Sequence, residues 1–149
     1  MIIISHRGNT TGPNVEKENS PEYLKEAISM GYNVEVDIWL VSQSIFLGHD
    51  EPTYEVTEDF IKEISKEAWF HCKNIESLYM FKTKYPDFKY FWHESDKFTL
   101  TSNNIIWTYP DQSVTPQSIM VCLSRVPSDW TDSDSVYGVC SDYALDWPL

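Results

Sequence analysis

The sequence predicts an α/β fold: a small or incomplete TIM-like (β/α) barrel with some helices missing. Three observations predict it. Strand-length apolar runs alternate with helical patterns through the first 94 residues, the order that builds parallel sheets. Beyond that the runs shorten, and their connections turn rich in Pro and Asp, with little room for helices. About seven strands fall in 149 residues, whereas a complete (β/α)8 barrel takes roughly 250. An open doubly wound sheet is the main alternative. The length fits one domain, residues 1–149.

The opening "MIIIS" reads as a buried first strand. It is too short for a signal core or a membrane span, and no basic segment precedes it. A helix follows over 20–32. Ser20 caps it, Pro21 takes the first helical position and Gly31 ends it. Tyr23, Leu24, Ala27 and Ile28 form its apolar stripe. Over 33–39, Val34, Val36 and Ile38 alternate with Glu35 and Asp37, as in a strand with one face on a core. Residues 44–50 form a second extended piece. Thr57 opens a helix over 57–67 that turns Phe60, Ile61 and Ile64 inward. A strand at 68–73 leads to a helix over 75–86 with Ile75, Leu78, Tyr79 and Phe81 as its apolar set. Strands follow at 89–94, 104–110, 118–124 and 137–143.

Composition excludes several partners. With 23 acidic and 11 basic residues the net charge is -12. A duplex-binding surface needs a basic footprint, and anionic lipid repels such a chain, so neither nucleic acid nor a membrane is expected. A bound cation would offset the charge locally. Cys72, Cys122 and Cys140 are odd in number and form no CxxC pair, which fits reduced thiols in a cytoplasmic protein. They read as small buried hydrophobes. No feature indicates the oligomeric state. The stretch "PSDWTDSDS" lacks the Gly and terminal Glu of an EF-hand and reads as a solvated loop.

In parallel barrels chemistry gathers at the C-terminal strand ends. His6-Arg7, His49-Asp50, His71 with Lys73, and His93-Glu94 all fall at or near such ends. Glu35 and Asp37 share one strand face and repel each other. A hard divalent cation, Mg2+ or Ca2+, would remove that repulsion; the other reading is a solvated face. In a barrel the helices cover the opposite face, so the pair would point inside. His6 and His49 are a natural acid/base pair, or else each bonds backbone. Arg7 can fork onto a phosphate or form a surface ion pair. Trp39 and Trp92, near strand ends, could hold an apolar or sugar group, and most other aromatics fill the core.

The opening "ISHRGN" and the following "KENSPEYLKEAISMGYNVEVDIWLVSQSIFLGHD" resemble the glycerophosphodiester phosphodiesterase family. The resemblance rests on His6-Arg7-Gly8, Glu18-Asn19, Glu35 with Asp37, and His49-Asp50, four motifs in order over the first third of the chain. "VCSDYA" is similar to the family's last strand. The resemblance implies a barrel, a divalent cation and a small phosphodiester substrate. It implies His6 and His49 as acid and base, in either order, with Arg7 and Lys73 on the phosphate. Glu35 and Asp37 would hold the metal, and Glu18, Asn19, Asp50 and Glu94 would line the site. The family's third carboxylate ligand is replaced by His71, which suits Mn2+ or Zn2+ better than Mg2+ or Ca2+ if it ligates; the other reading is a core histidine. The family's insertion after His-Asp is absent, leaving that side open and recognition to the aromatic second half. The alternative function is a non-catalytic relative that binds a phosphate ligand or a partner. A hydrolase with a transition-metal histidine cluster ranks lower, since no HxH or HExxH occurs.

Overall fold

The computed structural model describes residues 1–130 and 135–148. In chain order the elements are β1 (Ile2–His6), α1 (Pro21–Ser29), β2 (Asn33–Val41), β3 (Ser44–Leu47), β4 (Tyr54–Val56), α2 (Glu58–Ile64) and β5 (Ala68–Cys72). Then come α3 (Ile75–Lys84), β6 (Lys89–Phe91), β7 (Phe98–Leu100), β8 (Ile106–Thr108), β9 (Ser118–Val121), β10 (Gly138–Ser141) and a 3-10 turn (Ala144–Asp146).

The ten strands among the described residues belong to one sheet. Its parallel part runs β6-β5-β2-β1-β10-β9-β8. The last strand therefore pairs with the first, from Ile2 opposite Gly138 to Ser5 opposite Ser141, and the sheet curls. Gly138 permits this approach, because a Cβ there would lie 2.8 Å from the Ile2 carbonyl oxygen. β7 adds antiparallel to β8, and β3 and β4 extend the second half of β2 as an antiparallel hairpin. Among the described residues no ladder joins β6 to β8. Ser102 bridges that seam: its N–H donates to the Tyr90 carbonyl and its Oγ accepts from Tyr90 N–H, both at 2.9 Å. The Phe91 and Trp107 rings stack there at 4.4 Å. The result is a curled sheet with three helices, an incomplete barrel.

The helices cover only one side. Leu24, Ala27, Ile61, Ile64, Met80 and Phe81 pack on Val34, Val36, Ile38 and Phe70 outside the sheet. Inside the curl lie Ile4, Trp69, Phe91, Trp107, Ile119 and Cys140. Outside β1 and β10, Ile3 and Val139 are covered by Ala144, Trp147 and Tyr32 in place of a helix. Burying apolar faces at about 25 cal/mol per Å2 is the main stabilising term, and here irregular chain does part of that work.

Several expectations need correction. Tyr54–Val56 and Phe98–Leu100 are strands, although neither run is read as one from the sequence. α3 turns differently from its apolar pattern: Ser77, Met80 and Phe81 are buried, while Ile75 and Tyr79 are each 68% exposed. The capping residue sets that rotation. Asn74 accepts from Ser77 N–H, donates to the Leu40 carbonyl and accepts from Leu40 N–H, which pins the helix start to β2. The expected loop at 127–135 lies partly outside the described residues. Cys72, Cys122 and Cys140 are free thiols. Among the described residues no helix is long and apolar enough to cross a membrane.

Candidate metal centre and active site

Alternation on β2 sends Val34, Val36 and Ile38 to the helices and Glu35 and Asp37 into the curl, where both are buried. β5 pairs in register with β2 and sets His71 opposite Asp37. His71 Nδ1 lies 3.3 Å from Asp37 Oδ1 and 3.4 Å from Glu35 Oε1. Its Nε2 lies 2.8 Å from the His93 carbonyl oxygen. A carbonyl only accepts, so Nε2 carries the proton and Nδ1 faces the carboxylates. Histidine ligands are typically oriented in this way by a second partner.

One donor atom from each of Glu35, Asp37 and His71 lies within 4.8 Å of the others, so this group could hold a metal ion. The site's chemistry fits a cation. Glu35 Oε2 and Asp37 Oδ1 are buried without a hydrogen-bond donor, and orphaned buried polar atoms are costly. His71 answers the pair's repulsion in part. Burial pulls its pKa down, but the Asp37 and Glu35 carboxylates outweigh this and raise it to about 9. Burial likewise opposes ionisation of Asp37. His71, Arg7 and Lys73 nevertheless hold its carboxyl well below the usual range.

The two ends of the loop between β1 and α1 interlock behind this cluster. Arg7 adopts φ 56, Gly8 φ 91 and Asn19 φ 65. A Cβ at Gly8 would lie 2.7 Å from the Tyr23 ring. Asn19 N–H donates to the Arg7 carbonyl at 3.0 Å. The Asn19 side chain brackets Asp37, donating to Oδ2 at 2.9 Å and accepting from its backbone N–H at 3.0 Å. Arg7 Nε is 3.1 Å from Asp37 Oδ2, an ion pair too misaligned for a hydrogen bond. Arg7 also lies 3.6 Å from Glu18.

His6 is held by a residue not singled out as a site residue from the sequence. Its Nδ1 lies 2.7 Å from Asp142 Oδ1, and its Nε2 is 3.7 Å from Glu35 Oε2. Burial lowers the His6 pKa, yet the Asp142 bond and the Glu35 charge raise it overall. Buried Asn9 donates to both Asp142 and Glu18 at 2.8 Å and accepts from Tyr23 OH. Neither Asp142 nor Asn9 stands out in the sequence, because each is an ordinary polar residue in its own segment. "VCSDYA" was the one available signal for Asp142.

His6, Arg7, Glu35, His49, His71 and Glu94 line one cavity of about 220 Å3, joined by His93, which the sequence places at a strand end without a role. Trp39 Nε1–H donates to the Gly48 carbonyl at 2.7 Å and steadies the turn that carries His49, whose Nδ1 lies 2.7 Å from Asp50. Glu94 sits exposed at the rim. Lys73 stands behind the cluster, 3.9 Å from Asp37. Glu18, Asn19 and Asp50 border a neighbouring depression that shares Arg7 and His49. Trp92 is exposed and belongs to another surface hollow. No protein-family model, curated protein or solved structure matches the chain.

Proposed function

We propose that this chain is a metal-dependent phosphodiesterase acting on a small glycerophosphodiester-like substrate. One observation carries the reading. Two donors of a three-donor cation site, Glu35 and His71, border one cavity together with a carboxylate-backed histidine, an arginine and a second histidine from a distant loop, while the third donor, Asp37, lies buried beside them. The motif resemblance over the first third of the chain, carried largely by the same residues, supports it.

The chain's own groups have distinct parts. Asp142 accepts the Nδ1 proton of His6, so neutral His6 offers its Nε2 lone pair to a proton. The attacking hydroxyl, from water or from the substrate's own alcohol, bonds to phosphorus and gives its proton to His6, and His49, on the exposed rim, gives a proton to the leaving alkoxide as its P–O bond breaks. Arg7 places a guanidinium beside the phosphate position. Glu35, Asp37 and His71 would hold a divalent cation, which when bound shields phosphoryl oxygen charge. An imidazole among three donors favours Mn2+ or Zn2+ over Mg2+ or Ca2+.

The test is hydrolysis of bis(p-nitrophenyl) phosphate and of glycerophosphodiesters with Mg2+, Ca2+, Mn2+ and Zn2+ in turn. EDTA should abolish turnover, and His6→Ala or His49→Ala should cut kcat by about 10^2–10^4. A folded protein that turns over none of these with any metal would leave a ligand-binding role for the cavity.

A further inference from the structure

The proposed chemistry uses the β1, β2, β5 and β10 side of the cavity, and the opposite side has no part in it. The C-terminal ends of β6, β8 and β9 build that side. Phe91, Trp107 and Ile119 belong to the interior cluster. Val121 follows Ile119 on the same face of β9. His93, Tyr109 and Leu123 lie just past the ends of β6, β8 and β9, and with Val121 and Pro110 they line the cavity. No lysine or arginine lies on this wall, and its one acid, Glu94, is exposed at the rim. Burying a charge against such a surface costs far more than burying a methylene.

Besides Glu94, the wall's polar side chains are His93 and Tyr109. The His93 side chain is 9% exposed, and its buried Nδ1 lies 3.9 Å from Asp96 Oδ2 without a hydrogen bond. The His93 carbonyl is held by His71, so the ring stays on the wall. The aromatics form no cage for a quaternary cation. Trp107 is stacked on Phe91, and Tyr109 leans on His93 with centroids 5.5 Å apart. A volume of about 220 Å3 lies below the usual range for ligand pockets, roughly 300–1,000 Å3.

We infer that this wall seats the second alcohol of the phosphodiester, the one esterified opposite glycerol, and that this alcohol is compact, uncharged and mainly apolar. A single further oxygen on it would meet the His93 ring. The inference rests on the phosphodiesterase reading and deepens it.

The experiment compares glycerol phosphodiesters of n-butanol, 1,4-butanediol, 4-hydroxybutyrate and 4-aminobutanol, with turnover followed by 31P NMR in the best metal. These alcohols are similar in length and leaving ability. The two neutral esters should exceed both charged ones by about tenfold or more in kcat/KM, mainly through KM. The diol should exceed butanol, and His93→Leu should remove that advantage while keeping the gap to the charged esters. Leu123→Asp, at a position 39% exposed and so tolerant of change, should nearly close the neutral-to-cationic gap and widen the neutral-to-anionic one. A charged ester matching the neutral ones in the wild type overturns the alcohol seat and leaves the phosphodiesterase standing. Equal diol and butanol rates overturn the role of His93. No turnover of any ester, nor of bis(p-nitrophenyl) phosphate, overturns both readings together.

Discussion

Replacing Asn19 by alanine isolates the bracket that aims Asp37. Asn19 is buried, sits at φ 65 and makes two side-chain hydrogen bonds to Asp37. The bond to the carboxylate is worth about 1.5–3 kcal/mol and the bond from the Asp37 N–H about 0.5–1.5. A Cβ without a polar side chain in the left-handed region costs about 1–2 kcal/mol more. Asn19→Ala should therefore lose roughly 3–6.5 kcal/mol, a large share of the roughly 5–15 typical of a domain. Urea unfolding without added metal, followed by tryptophan fluorescence, reads this as a drop in midpoint at unchanged slope. Asn19→Gly removes the same bonds but tolerates φ 65, so it should be the milder variant by about 1 kcal/mol. A loss below about 1 kcal/mol in Asn19→Ala would refute the claim that this bracket holds Asp37 in place.

Other substitutions test the rest of the site. Asp142→Asn should lower the His6 titration midpoint, read from its imidazole NMR signals with EDTA present, because burial then acts with one opposing charge fewer. The sign for stability follows from the raised folded value of His6. Its contribution is complete below the ordinary 6.5 and lost as pH rises through the folded value, so the variant's stability should fall less over that range; an unmoved midpoint would contradict the pairing. Gly48→Ala would put a Cβ 2.1 Å from the Glu51 carbonyl oxygen and displace the turn that carries His49. If the proposed chemistry holds, kcat/KM should fall about 100-fold, and retention of full activity would remove His49 from the mechanism. Burial pushes the Cys72 thiol up to about 12 and that of Cys140 well above its usual value. A thiol reagent at pH 8 should therefore titrate one cysteine, Cys122, in the native protein and three after denaturation. A second fast equivalent would show that one of these strands opens.

Local chemistry made much of this protein legible in its sequence. Pro21 and Gly31 bound α1 because each restricts or frees φ, and Thr57 caps α2 by accepting from Phe60 N–H. Strict alternation on β2 separated Val34, Val36 and Ile38 from Glu35 and Asp37, since a period of two admits only two faces. Only tertiary structure decided which apolar residues of α3 turn inward, because Asn74 ties its first turn to Leu40, 34 residues away. The short strands β4 and β7 carry too few residues for a pattern and exist by pairing with β3 and β8. The site divides in the same way. Its metal-ligand candidates sit on two strands whose register sets Asp37 opposite His71. The His6–Asp142 pair spans 136 residues and exists because β10 closes onto β1. The local run "VCSDYA" marks Asp142, but it does not show which residue it meets. The contact follows from the curl of the whole sheet, which brings the two ends of the chain together and lets a buried histidine find a carboxylate.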